Sequence, residues 1–221
     1  MSALEVLYCD NHLLVVHKPP CVPVVPDSSG DESLLERAKA WIQVEFHKPG
    51  AVFLGVVHRL DRPVSGVLLF ARTSKAAERL SAQFRERRVR KAYWGVVQGR
   101  PAAPAGTLEQ HLWKDGERNR VHVVAASREG AKVARTSYRV LRGADGRSLL
   151  ELVPHTGRAH QLRLACASLG TPLLGDLKYG ALEALPDRSI ALHARRLEVE
   201  HPTLREARAW EVEPPRSAAW A

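Results

Sequence analysis

The sequence predicts a single domain that mixes β-strands with a few short helices, and three observations carry that prediction. With 221 residues, 45% of them hydrophobic, the chain is long enough to bury a sizeable core. Apolar residues alternate along some segments and recur at helical spacing along others. No repeat or low-complexity linker interrupts the pattern, so one domain is expected over residues 1–221.

Residues 4–8 and 13–17 read as two short strands around the turn Asp10-Asn11-His12, an N-terminal hairpin. In Lys18-Pro19-Pro20-Cys21-Val22-Pro23 the prolines forbid a helix and leave an extended loop. Ser33-Leu34-Leu35-Glu36 fits a capping box, and Leu34, Leu35, Ala38 and Ile42 keep helical spacing, so a helix is expected over 33–46. Two apolar runs, 52–57 and 67–71, read as buried strands, with the polar stretch from His58 to Gly66 slung between them as a loop. Thr73 or Ser74 can cap a second helix whose stripe is Ala76, Ala77, Leu80 and Phe84. Residues 91–97, 134–141 and 148–153 read as strands with one buried face, and 158–169 as a helix stopped by Gly170. The stretch 101–130 reads as less regular.

Composition narrows the function classes. The longest nearly unbroken apolar stretch, 51–57, falls far below the roughly 18–20 residues that span a bilayer. The first residues lack the basic and apolar regions of a secretory signal, and Glu5 and Asp10 argue against a transit peptide, so the expected setting is the cytoplasm. Cys9, Cys21 and Cys166 are an odd number without a CxxC pair, and the histidines show no HxxxH pair on a plausible helix. Neither a disulfide framework nor a metal site is expected. The formal charge is +9, and 25 of the 33 basic residues are arginine. Guanidinium suits bidentate phosphate contact and base stacking, so nucleic acid is the first partner to consider, although a basic protein is also simply soluble.

Four constellations bear on chemistry. Asp61 sits in a loop punctuated by proline and glycine, flanked by Arg59 and Arg62, where it suits either catalysis or the pinning of a turn. The second helix ends in Arg85, Arg87, Arg88, Arg90 and Lys91, more cations than a helix C-terminus requires, which suits phosphate contact as well as a solvated face. In Thr156-Gly157-Arg158-Ala159-His160-Gln161-Leu162-Arg163, the pairs Arg158/Gln161 and His160/Arg163 are three apart and would share helix faces, ready for an acceptor-rich ligand. Lys91-Ala92-Tyr93-Trp94-Gly95 places aromatics on alternate faces of a strand. Gly175-Asp176-Leu177-Lys178-Tyr179-Gly180 reads as a glycine-bracketed turn.

Together these residues resemble the RluA-type pseudouridine synthases. Four segments match in order: Lys18-Pro19-Pro20; His58-Arg59-Leu60-Asp61 with Ser65-Gly66; Lys91-Ala92-Tyr93; and Thr156-Gly157-Arg158 through Arg163 with Gly175-Asp176 and Tyr179-Gly180. The resemblance implies an α+β fold with a mixed, largely antiparallel sheet flanked by helices and loops, an RNA cleft across it, and no metal or organic cofactor. It implies that Asp61 is the catalytic aspartate, Arg163 the arginine paired with it, Tyr93 the tyrosine that stacks on the target base, and Arg59 the residue that fills the space left by a flipped base. RNA contacts are expected from Arg59, Arg62, Arg85, Arg87, Arg88, Arg90, Lys91, Arg158, His160 and Gln161, and walls of a base pocket from Leu162 and Leu164. The expected partner is structured RNA, ribosomal or transfer, bound by a monomer with no separate N-terminal RNA-binding domain. Val64, Cys21 and Ala165 depart from the pattern, standing where the family often has threonine, glycine and histidine. A non-catalytic RNA-binding module, or a hydrolase with Asp61 as nucleophile, are the competing readings.

Overall fold

The computed structural model describes residues 4–217 and 219–220. In chain order the elements are β1 (Glu5–Cys9), β2 (Leu13–Lys18), α1 (Leu34–Glu45), β3 (Gly55–Val56), β4 (Ser65–Ala71), α2 (Ser74–Arg85), β5 (Arg90–Gln98), β6 (Ala105–Asp115), β7 (Arg120–Val123), β8 (Lys132–Ala144), β9 (Arg147–Pro154), α3 (Gln161–Ser168), a 3-10 turn (Leu177–Tyr179), β10 (Leu192–Glu200) and β11 (Ala207–Glu211). The class is α+β, with a mixed, largely antiparallel arrangement of strands, as expected. The described residues form two compact units: one runs up to Lys91 and resumes over Ala194–Pro215, and the other holds Ala92–His193 and the described residues from Arg216 onward.

In the first unit the strands run β1-β2-β4-β10, with β3 paired to β4 and β11 to β10. Asp10 closes the first hairpin by accepting the N–H groups of His12 and Leu13, each at 2.7 Å, which turns the chain without a glycine. Strand β4 is buried along its whole length, so it reads as a continuous apolar run rather than an alternating one. Leu13 and Val15 of β2, Val67 and Leu69 of β4, Leu197 and Val199 of β10, and Ala76 and Leu80 of α2 share one core. Full burial of a side chain such as Leu80 contributes about 1.5–3 kcal/mol. Helix α1 carries the expected capping box, Ser33 and Glu36 each serving the other's backbone N–H, and Thr73 caps α2. Gln83 turns inward and clamps α2 to β10, donating to Glu200 O at 2.7 Å and accepting from Glu200 N at 3.0 Å.

The second unit orders its strands β5-β9-β8-β6-β7, every pair antiparallel. Leu112, Val121, Ala134, Leu164 and Tyr179 pack as one cluster, and Val96, Leu149, Leu174, Ala191 and Ala219 as another.

Three elements differ from the expectation of the sequence. Of the run 52–57 only Gly55–Val56 is strand: β2 holds one edge of β4 from Gly66 to Ala71, so β3 lies on the other edge, which β10 also occupies, and meets just Phe70 and Ala71. The less regular stretch 101–130 contains β6 and β7: β6 is largely exposed and keeps no sustained apolar alternation, and the alternating Arg120-Val121-His122-Val123 of β7 is only four residues long. The helix expected over 158–169 starts at Gln161, since His160 has φ 52° and cannot continue a helix backward, while Gly170 at φ 73° ends it as expected.

Candidate active site

In the first unit Asp61 is half-buried on the loop joining β3 to β4, whose apolar ends are fixed in the core. A tight turn holds it, Val64 N donating to Asp61 O at 3.0 Å. Beneath this turn lies Lys18, fully buried at the end of β2. Its ammonium donates to Pro19 O at 2.9 Å, Arg62 O at 3.0 Å and Val64 O at 2.7 Å, which uses all three protons. Burial pushes the Lys18 pKa down to about 7, with the nearby Asp61 charge acting in the opposite direction. The lysine thus ties the proline loop to the second and last residues of the turn.

Two more groups set the loop's ends. His58 accepts the Leu69 N–H on Nε2 at 2.9 Å and stacks on Phe84, ring centroids 4.8 Å apart. Burial, followed by the charge of Lys91, pushes its pKa down to about 3, so the ring is neutral. Gly66 has φ 130°, and a Cβ there would land on the backbone of Ala194. Only glycine permits that approach of β4 to β10. Arg59 is exposed. Arg62 is not simply presented to solvent: its guanidinium pairs with Asp31, lies 3.6 Å from Asp27 and donates from Nε to Cys21 O at 3.2 Å. Cys21 itself has φ 63°, the left-handed conformation that explains why a glycine suits this position.

In the second unit Tyr93 lies on β5 opposite Leu152 of β9, half-buried. The loop between β9 and α3 is braced from inside. Thr156 Oγ1 accepts from Arg135 N at 3.0 Å and donates to Gln161 Oε1 at 2.6 Å, which also accepts from Arg158 N at 3.1 Å. Gln161 Nε2 donates to Arg135 O and Thr136 Oγ1, each at 2.9 Å. All four hydrogen-bonding positions of this amide are taken, so its placement as an RNA contact is corrected to that of a loop brace. The shared helix face expected for Arg158 and Gln161 is absent because Arg158 precedes the helix; its Nε donates to Val133 O at 3.0 Å.

Arg163, on α3 and 7% exposed, forks onto Asp176, which is 1% exposed: Nε to Oδ2 at 2.7 Å and Nη2 to Oδ1 at 2.6 Å. A bidentate pair of this kind compensates both buried charges and fixes the guanidinium plane. Leu162 and Leu164 are two residues apart on a helix and so face about 200° away from each other. Leu164 belongs to the core cluster with Leu112 and Tyr179, which corrects its placement in a base pocket. At the end of α2, Arg85, Arg87, Arg88 and Arg90 are exposed, Arg88 pairing with Glu86 at 2.8 Å and Arg90 with Glu198 at 3.4 Å. Lys91 is half-buried, and burial lowers its pKa.

Lys18 and Asp176 hold the site from inside but do not stand out in the sequence, where each is only one letter of a motif. A lysine closing the apolar run of β2 was the one available signal. Among the described residues no three His, Cys, Asp or Glu side chains gather as metal ligands would.

A family described as RNA pseudouridylate synthase matches residues 12–168, and the chain belongs to that family. Its members are isomerases that act on uridine in RNA. An uncharacterized RNA pseudouridine synthase of Zymomonas mobilis is 36% identical over 198 residues, 89% of this chain and 88% of that protein. The dual-specificity RNA pseudouridine synthase RluA of Salmonella typhi is 36% identical over 206 residues, 90% of this chain and 88% of its own length. The solved structure of human RNA pseudouridylate synthase domain containing 1 superposes with a TM-score of 0.79 at 30% identity, over 99% of this chain and 88% of that one.

Proposed function

We propose that the chain, acting as one catalytic domain, converts specific uridines of ribosomal or transfer RNA to pseudouridine, with Asp61 as the catalytic carboxylate, Arg163 as its partner and Tyr93 as the platform for the target base. The observation that carries the assignment of Asp61 is its turn, held from below by the bonds of Lys18 to Arg62 O and Val64 O. A reacting group must be held to within a fraction of an ångström, and a buried lysine stapling the turn supplies that rigidity.

The reaction is redox-neutral. The N1–C1′ bond breaks, uracil turns, a C5–C1′ bond forms, the C5 proton leaves and N1 gains a proton. Cleavage develops positive character on the sugar, which one carboxylate can stabilise, capture by attack on C1′, or relieve by removing the 2′ proton. Unstacking the uridine costs a few kcal/mol, part of which an aromatic partner such as Tyr93 recovers. Arg59 fills the vacated stack, while Arg85, Arg87, Arg88, Arg90, Arg158 and His160 contact the RNA, and Leu162 lines the base. A monomer working in the cytoplasm without metal or cofactor completes the proposal.

The test uses unmodified ribosomal and transfer RNA transcripts carrying tritium at uridine C5, with label released to water as the readout. Asp61→Asn is expected to lower release by roughly a thousandfold or more while RNA binding stays within about threefold. Wild-type release by Asp61→Asn would remove Asp61 from the reaction.

A further inference from the structure

We infer that Tyr179 is a positioning residue that holds Arg163 and His160 together from one side chain. The inference rests on the catalytic role proposed above for Arg163.

The buried ring of Tyr179 lies against the guanidinium, Arg163 Cζ standing 4.9 Å from the ring centroid. Its hydroxyl accepts the Val121 N–H at 3.0 Å and lies 2.6 Å from His160 Nδ1, with the two rings edge to face at 70°. Asp176, which forks onto the edge of the same guanidinium, lies three residues earlier, and Tyr179 N donates to Asp176 O at 3.0 Å. One 3-10 turn therefore delivers both constraints. The carboxylate fixes the guanidinium in its plane, and the ring fixes its face, so rotation about the last side-chain bonds is closed in both senses.

The turn is built to do this. Gly175 at φ 80° and Gly180 at φ 107° bracket it, and a Cβ on Gly175 would meet Ser189 O and the Leu185 side chain. His160 stands in the left-handed region at φ 52° and makes no side-chain capping bond to α3, and the turn gives it an anchor. The phenol supplies it from the β7 side, where Val121 N–H fixes the oxygen. Ring and hydroxyl thus serve different clients, Arg163 through stacking and His160 through a hydrogen bond.

That division gives a test on the full chain, by kcat and KM for tritium release together with the thermal unfolding midpoint. Tyr179→Phe keeps the ring and removes the hydroxyl, and its loss in kcat/KM should overlap with that of His160→Ala, the double variant falling within about twofold of the worse single. Tyr179→Leu also removes the ring and should lose at least about tenfold more kcat than Tyr179→Phe, with a smaller change in KM. Tyr179→Met carries the same comparison if the leucine variant does not fold. Equal kcat in the ring-keeping and ring-lacking variants, or losses of Tyr179→Phe and His160→Ala that multiply, would overturn the inference. Arg163→Met is the control: normal turnover there would remove the proposed role of Arg163, whereas a dead Arg163→Met beside equal Tyr179 variants would sink the positioning role alone.

Discussion

A histidine that accepts a backbone N–H can take up a proton only by giving up that bond, and this sets the pH behaviour of His58. Its Nε2 accepts from Leu69 N at 2.9 Å, and its pKa is pushed down to about 3. The unfolded chain binds a proton near the ordinary value of 6.5, so between about pH 6.5 and 3 it holds more protons than the folded one. Stability therefore falls as the pH drops through that window, by at most about 1.4 kcal/mol per unit, and less because part of the ring still meets water. Glutamine at this position can accept the same N–H without titrating. Urea unfolding at pH 7 and pH 5 should show a smaller loss for His58→Gln than for the parent, and parallel losses would refute the account. Cys21 offers a second residue-scale test. A left-handed side chain costs about 1–2 kcal/mol and glycine's added freedom about 0.5–1, so Cys21→Gly should leave the urea midpoint unchanged or raise stability by up to about 1.5 kcal/mol. A clear loss of stability would contradict this.

At the scale of elements, the close approach of β4 to β10 makes Gly66 the least replaceable residue of the Asp61 loop. Gly66→Ala must push Cβ into the Ala194 backbone at a φ that alanine avoids, so a loss of more than about 3 kcal/mol or failure to fold is expected. Soluble protein with a normal unfolding midpoint would show that the strands can separate without penalty. α1 and α2 were legible because Ser33, Glu36 and Thr73 are local signals acting within one turn. β4 was legible because both of its faces are buried. β6 and β7 are not, since most of their residues are exposed and only single positions such as Leu112 and Val121 are buried, and the α3 pattern starts three residues too early because nothing in His160 advertises its left-handed backbone. Within the candidate site, Asp61, Tyr93 and Arg163 stood out through motif order. Lys18 on the loop carbonyls, Asp176 on Arg163 and Gln161 on Thr136 join residues 13 to 46 positions apart, pairings that no local pattern encodes.

For the whole molecule the governing quantity is the charge of +9, because a protein that acts on RNA must first collect a polyanion. How that charge is used differs between patches. Arg62 is tied to Asp31 and Asp27, and Arg196 to Glu198 and Glu211, so both hold structure. The end of α2 differs: Arg85, Arg87 and Arg88 are exposed, and the Arg88–Glu86 contact is a surface pair of the kind that contributes about 0–1 kcal/mol, easily exchanged for a phosphate. Each phosphate contact releases counterions and adds about 0.7–0.9 to the slope of log affinity against log salt. Replacing Arg85, Arg87 and Arg88 together by glutamine should therefore flatten that slope by about two units, measured by filter binding of one transcript from low to moderate salt. The substitutions lie on an exposed helix end and should leave the unfolding midpoint nearly unchanged. If the slope is unaltered while affinity at low salt is also unaltered, the cluster is a solvated helix terminus and the RNA follows another face of the protein.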